Sequence, residues 1–151
     1  MKQKSVGQAF GSVLKFNDIA GQLIEPNKDS IALQLDLIQE EYLETVDAFD
    51  NEDRVEVLDG AIDMWVVVSG LLQKLEAMGY NVEEALKRVT DNNLSKFPST
   101  ANNAENSWNG DYTPHFNKKH QVLVLKDKNG KVRKPDGYKP VNLSDLVPVV
   151  I

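Results

Sequence analysis

The sequence predicts an all-α fold, a helical bundle closed by a β-hairpin and an extended tail. Two long stretches, 31–50 and 55–78, repeat apolar residues at helical spacing and are separated only by "DNED". A shorter stretch, "NVEEALKRVTDNNLSKF", carries a third helical pattern. Strong alternation of apolar and polar residues comes late, in "HQVLVLKDKNGKVRKP" around Asn129-Gly130, a dipeptide that favours tight hairpins. At 151 residues the chain suits one core better than two. We expect a single domain, with a helical core over 1–97 and a loop, hairpin and tail over 98–151.

Taken in order, residues 5 to 20 mix small and apolar residues at roughly helical spacing, with Gly21 as the stop. The turn-like "EPNKDS" follows, and Asp29 or Ser30 is the expected N-cap of a helix from Ile31 to Asp50. The next helix runs from Val55 to Met78 and ends at Gly79. Asn81 caps the third, with Glu84 at the capping-box position. From Pro98 to Lys119 the chain is rich in Asn, Ser, Thr, Gly and Pro and reads as a long loop. After the hairpin, "DGYKPVNLSDLVPVVI" is punctuated by proline and reads as an extended strap. No internal repeat is visible.

Composition narrows the chemistry. The absence of cysteine excludes disulfides, thiolate nucleophiles and cysteine-ligated metal sites. The N-terminus lacks a signal-like apolar run, and the most apolar window, "AIDMWVVVSGLL", is too short for a membrane span and contains Asp63. A net charge of -6 argues against general nucleic-acid affinity. Residues 1–100 carry 18 acidic and 9 basic side chains, whereas 101–151 carry 5 and 8. We expect a soluble cytoplasmic protein that binds neither membrane nor nucleic acid, with an acidic front suited to a metal and a basic tail suited to phosphate.

The acidic residues are not scattered. On a helical wheel Glu41 and Glu44 share the sector of Leu33 and Leu37, while Asp36, Glu40 and Asp47 lie at its edge. The next helix is apolar nearly all round, the pattern of a helix buried among others, except for one stripe: Glu56, Asp59 and Asp63. Two helices joined by so short a link lie antiparallel and face each other with these acids. Two carboxylates about 5 Å apart repel by roughly 3 kcal/mol at an effective dielectric near 20, so a cluster left empty is costly. Mg²⁺ or Mn²⁺ resolves the conflict with oxygen ligands alone. The lack of any Glu-x-x-His excludes the ferritin-like di-iron alternative.

The spacing "EEYLE" (40–44) followed by "EVLD" (56–59) resembles the signature of the MazG-like all-α nucleoside triphosphate pyrophosphohydrolases. "FNDIAGQLIEP", "LQLDLIQEEYLETVDAF", "VEVLDGAIDMWVVVSG", "NNLSKF" and "GKVRKPDGYKPVNL" follow in the order seen in its phosphoribosyl-ATP pyrophosphohydrolase-like branch, which includes bacterial and phage members. The resemblance implies Mg²⁺ bound by Glu41, Glu44, Glu56 and Asp59. It assigns Glu40 to water activation or a further metal contact, and Asp63 to a supporting place with direct participation open. Asn93 and Lys96 would hold substrate phosphate or sugar, and Lys131, Lys134 and Tyr138 belong to a tail that could close over the site.

The implied reaction is water attack at the α-phosphorus of a (d)NTP, giving a nucleoside monophosphate and pyrophosphate. Hydrolysis of phosphoribosyl-ATP is the rival substrate reading, and a catalytically silent nucleotide-binding module the rival class. The resemblance and the apolar surplus of the second long helix both imply a homodimer or a dimer of dimers. Trp65 reads as core or subunit interface, Trp108 as a loop aromatic able to stack on a base, and His115 and His120 as loop residues.

Overall fold

The computed structural model describes residues 5–99 and 113–149 of the chain. Among the described residues four α-helices, one two-stranded antiparallel sheet and a short 3-10 turn at Ser144–Leu146 make up the fold, so the all-α expectation holds. The chain divides into two compact units, 1–82 with 147–151 and 83–146. Among the described residues no helix is long and apolar enough to cross a membrane.

The first unit holds α1 (Val6–Ile19), α2 (Lys28–Asp50) and α3 (Arg54–Ala77). Ser5 caps α1 reciprocally with Gln8, and the chain leaves the helix through Gly21 at φ 69°. The cap of α2 is Asn27, ahead of the expected Asp29 or Ser30. Asn27 Oδ1 accepts from Asp29 N (3.0 Å) and Ser30 N (3.1 Å), and Ser30 Oγ accepts from Asn27 N (2.8 Å). Asp53 caps α3 through Val55 N and Glu56 N, both at 3.1 Å, and Gly79 at φ 96° closes its far end.

Helices α2 and α3 pack antiparallel, and α1 packs on α3. The α2 face toward α3 is centred on buried Gln34 and Ala48 with half-buried Glu41 between them, an i, i+7, i+14 line. Leu33, expected to mark the interior, is 54% exposed. Helix α3 presents buried Gly60, Ser69, Gly70, Gln73 and Lys74, so the seam is built from small and polar residues. The expectation that α3 is buried all round fails within one chain: Val55, Leu58 and Ile62 are 74%, 66% and 54% exposed.

At the end of the hairpin away from its turn, polar groups stitch the three helices together. Gln34 Nε2 donates to Val67 O (2.7 Å), Lys74 Nζ donates to Gln34 Oε1 (2.6 Å), and Asn17 Nδ2 donates to Gln73 Oε1 (2.8 Å). Burial pushes the Lys74 ammonium below its ordinary pKa.

The second unit contains α4 (Val82–Leu94, of which Val82 belongs to the first unit), β1 (Thr113–Asn117) and β2 (Val122–Lys126). Asn81 immediately precedes α4. The ladder is not where Asn129-Gly130 suggested: β1, inside the expected loop, pairs with β2 in the register Asn117 opposite Val122, and the chain turns through Gln121 at φ 55°. The Asn129-Gly130 turn also forms, with Asp127 Oδ1 accepting from Asn129 N (2.9 Å) and Lys131 N (3.0 Å). It carries one bridge, Lys126 to Val132, because Pro135 soon removes the donor a longer strand needs. Val124, Leu125 and Leu146 supply this unit's buried apolar side chains.

The tail is fastened to α4 as a strap. Arg88 grips Asp145 through two nitrogens (2.7 and 2.9 Å) and donates to Asn142 O (3.2 Å). Asn92 Nδ2 donates to Lys139 O (2.8 Å), and the Tyr138 hydroxyl donates to Asn92 Oδ1.

Candidate carboxylate site

Antiparallel pairing at the Thr45–Gly60 crossing sets Glu41 and Glu44 of α2 opposite Asp59 and Asp63 of α3. Glu41 is half-buried between the helices, whereas Glu40, Glu44, Glu56 and Asp59 are exposed and Asp63 is half-buried. Partial burial raises the Glu41 carboxyl above its ordinary pKa. The negative charges of Asp63, Glu44, Glu40 and Asp59, in that order of strength, raise it further. Asp63 thus acts more strongly on Glu41 than any other carboxylate does, a place its position at the end of the stripe did not reveal.

Glu56 belongs to the turn end of the hairpin. It lines an open cleft of about 530 Å³ with Leu43, Glu44, Asp47, Ala48, Asn51 and Asp53. Glu44 therefore joins two acidic groups, one around Glu41 and one facing Glu56. Asp47, placed by the wheel at the sector edge, lines this cleft as well, and its i, i+3 relation to Glu44 was the available signal.

The donor chemistry, carboxylate oxygen throughout, fits a hard divalent cation and offers nothing to a soft one. Among the described residues no three Asp, Glu or His side chains stand together as a ready ligand set. The carboxylates must turn toward an ion to ligate it, which the exposed Glu44, Glu56 and Asp59 are free to do.

Asn93, Lys96, Lys131, Lys134 and Tyr138 lie in the second unit. Asn93 is exposed near the end of α4 and accepts from Lys96 Nζ (2.9 Å). Lys131 is exposed on the turn after β2, while Lys134 and Lys96 approach the ring of Tyr138. Trp65 is half-buried on α3, and His115 and His120 are exposed. Trp108 lies outside the described residues.

Residues 24–93 match the family model for phosphoribosyl-ATP pyrophosphohydrolase. No curated protein and no solved structure matches the chain. The matched segment begins just before α2 and spans both carboxylate helices and nearly all of α4, so the resemblance carried by "EEYLE" and "EVLD" is upheld over the residues that bear it. Over this segment, somewhat less than half of the chain, the protein is similar to the phosphoribosyl-ATP pyrophosphohydrolase family, which lies within the MazG-like all-α nucleoside triphosphate pyrophosphohydrolase superfamily.

Proposed function

We propose that the protein is a divalent-metal-dependent nucleotide pyrophosphohydrolase that cleaves a (d)NTP between its α- and β-phosphates. The observation that carries this reading is Glu41, a carboxyl held in the seam of two helices and raised in pKa by burial and by four acids around it. An arrangement so rich in negative charge is suited to a cation and its polyphosphate. Mg²⁺, with Mn²⁺ able to replace it, is the ion this donor set favours, with Glu41, Glu44, Glu56 and Asp59 to hold it and Asp63 to support Glu41.

A bound divalent ion would neutralise the phosphate chain and acidify water at the site. Glu40, exposed beside Glu41, takes the proton of the attacking water. The new oxygen–phosphorus bond forms at the α-phosphorus, the bond to the bridging oxygen breaks, and pyrophosphate leaves. Asn93 and Lys96 are assigned to phosphate or sugar, with Lys131, Lys134 and Tyr138 as contacts from the tail.

The family's own description favours a second substrate, phosphoribosyl-ATP, which loses pyrophosphate by the same bond cleavage. Fold and carboxylates serve both substrates alike. We further propose that two copies associate through the exposed apolar faces of α2 and α3, as a dimer or a dimer of dimers.

Pyrophosphate release from a panel of canonical and modified (d)NTPs and from phosphoribosyl-ATP, with and without Mg²⁺, tests the reading. Turnover should need the ion and fall at least a hundredfold in Glu41→Gln and Glu56→Gln. Turnover that survives both substitutions, or nucleotide binding with no hydrolysis of any substrate, overturns it. The preferred substrate separates the two enzyme readings, and complementation of a histidine auxotroph confirms the second.

A further inference from the structure

The second unit holds a cavity of about 440 Å³ lined, among the described residues, by its own side chains. Leu94 and Phe97 line it from the end of α4, Val122 and Val124 from one face of β2, and Asn117 and His120 from β1 and the turn that follows. All six lie beyond residue 93, past the segment shared with the family.

The walls are fastened to one another. Phe97 N donates to Leu94 O (3.1 Å), Leu123 N donates to Pro98 O (3.0 Å), and Ser99 bridges to Val122, so the chain leaving α4 is tied to β2. The turn between the strands is held as well: His120 N donates to Asn117 Oδ1 (3.1 Å) and Gln121 Nε2 to Lys118 O (2.7 Å). Elements tied this way keep the cavity formed, and its volume falls in the range of about 300–1,000 Å³ in which small ligands are bound.

Its chemistry is divided. Four of the side chains are apolar, and Leu94 is 67% exposed, which leaves apolar surface for a ligand to cover. Asn117 supplies a polar edge. With Oδ1 accepting from His120 N, its Nδ2 keeps both hydrogens and, among the described residues, donates to no protein group. The His120 imidazole is exposed, also lacks a protein partner among the described residues, and can donate or accept. An alkyl chain would cover the apolar walls and leave the Asn117 donor unmet. A bare phosphate would meet the donor and leave the apolar walls uncovered. A flat heterocycle satisfies both, with its faces on Phe97 and the valines and its edge toward Asn117 and His120.

We propose that this cavity binds a nucleobase, with Leu94, Phe97, Val122 and Val124 against the ring and Asn117 and His120 at its hydrogen-bonding edge. Choosing a nucleobase over other flat heterocycles rests on the nucleotide pyrophosphohydrolase reading, whereas the cavity lies wholly within the second unit. The base belongs either to the substrate or to a separate nucleoside that modulates turnover.

The test titrates adenosine, guanosine, cytidine and uridine into the full-length protein and follows backbone amide shifts by NMR. At least one nucleoside should shift the amides of Phe97, Asn117 and His120 saturably, while ribose 5-phosphate leaves them in place. Asn117→Asp keeps the acceptor for His120 N and removes the donor, and should weaken the best nucleoside about fivefold or more. Leu94→Ala, at an exposed position, should weaken it about threefold. Melting curves of both variants separate lost binding from lost structure. No saturable shift by any nucleoside, an equal shift from ribose 5-phosphate, or unchanged affinity in both variants overturns the site. In a pyrophosphate-release assay, a bound nucleoside that raises KM at constant kcat identifies the substrate's own base, and one that changes kcat at saturating substrate identifies a second ligand. Nucleoside binding that depends on Asn117 and Leu94 in a protein that hydrolyses no nucleotide would sink the proposed function and leave the site standing. Glu41-dependent hydrolysis by a protein that binds no nucleoside in this cavity would do the reverse.

Discussion

A Cβ added at Gly60 would stand 2.3 Å from Thr45 Oγ1 and 3.2 Å from Thr45 Cβ, so α2 and α3 cross where only glycine fits. Thr45 cannot simply rotate clear, because its hydroxyl donates to Glu41 O at 2.7 Å. This tight contact lies about one turn from Glu41, on the seam that brings Asp59 and Asp63 near it. Gly60→Ala should destabilise the protein by about 1–3 kcal/mol through overpacking and lower turnover as the acids separate. Adding Thr45→Ala should recover part of both losses, as chemical denaturation and pyrophosphate release would show. Additive losses in the double variant would mean that the two residues do not share this contact.

The charge around Glu41 makes the metal-free fold sensitive to pH. Its carboxyl is raised above the ordinary 4.5, so the folded chain keeps a proton that the unfolded chain has lost over the window just above that value. Stability from this group is full below 4.5 and falls as pH rises through the folded pKa. Glu41→Gln, neutral at every pH, should flatten that fall in the absence of divalent ions. Mg²⁺ at a hundred times its dissociation constant should stabilise the native protein by about 2.7 kcal/mol, and much less in the variant. Melting curves with the same slope against pH in both proteins would contradict the assignment.

Lys74 titrates at the opposite end. It is 1% exposed, its one described partner is the neutral Gln34 carbonyl, and burial lowers its pKa from 10.5. The folded chain therefore releases this proton before the unfolded chain does, and stability from this group rises with pH from the folded pKa up to 10.5. Lys74→Met should lose that alkaline rise relative to the native protein when unfolding is followed by denaturant titration. A rise of equal size in both proteins would show that other groups produce it.

The helices were legible because the 3.6-residue apolar period and the Gly21 and Gly79 stops are local signals. The cap of α2 was misplaced because Ser30 takes part in the capping box as the reciprocal partner of Asn27, a role that sequence alone does not distinguish from the cap itself. Strand β1, "TPHFN", carries a proline and too little alternation to announce itself; its pairing with β2 is a tertiary fact. The wheel turned Glu41 and Glu44 inward together; Glu41 is half-buried in the seam, whereas Glu44 is exposed, because the seam follows the Gln34, Glu41 and Ala48 line. The wheel could not show Asp63 as the strongest charge on Glu41, nor the Gln34–Lys74 bond, because both depend on how closely α3 approaches α2.

That close approach leaves the opposite faces of the hairpin bare. Phe49, Val55 and Leu58 are 71%, 74% and 66% exposed, and Tyr42, Leu43 and Ile62 are each more than half exposed. Fully burying one large apolar side chain gains about 1.5–3 kcal/mol, so a second copy covering several of them has ample driving force. Light scattering should give at least twice the 16.9 kDa of one chain. Charge placed on this surface, as in Phe49→Asp with Leu58→Asp, should shift the mass toward one chain, because an unpaired carboxylate in a dry interface is costly to bury. Turnover should fall with the assembled fraction if the partner shapes the carboxylate cleft, and should persist in the dissociated variant if each hairpin works alone. A native protein that runs as a single chain at micromolar concentration would overturn the association itself.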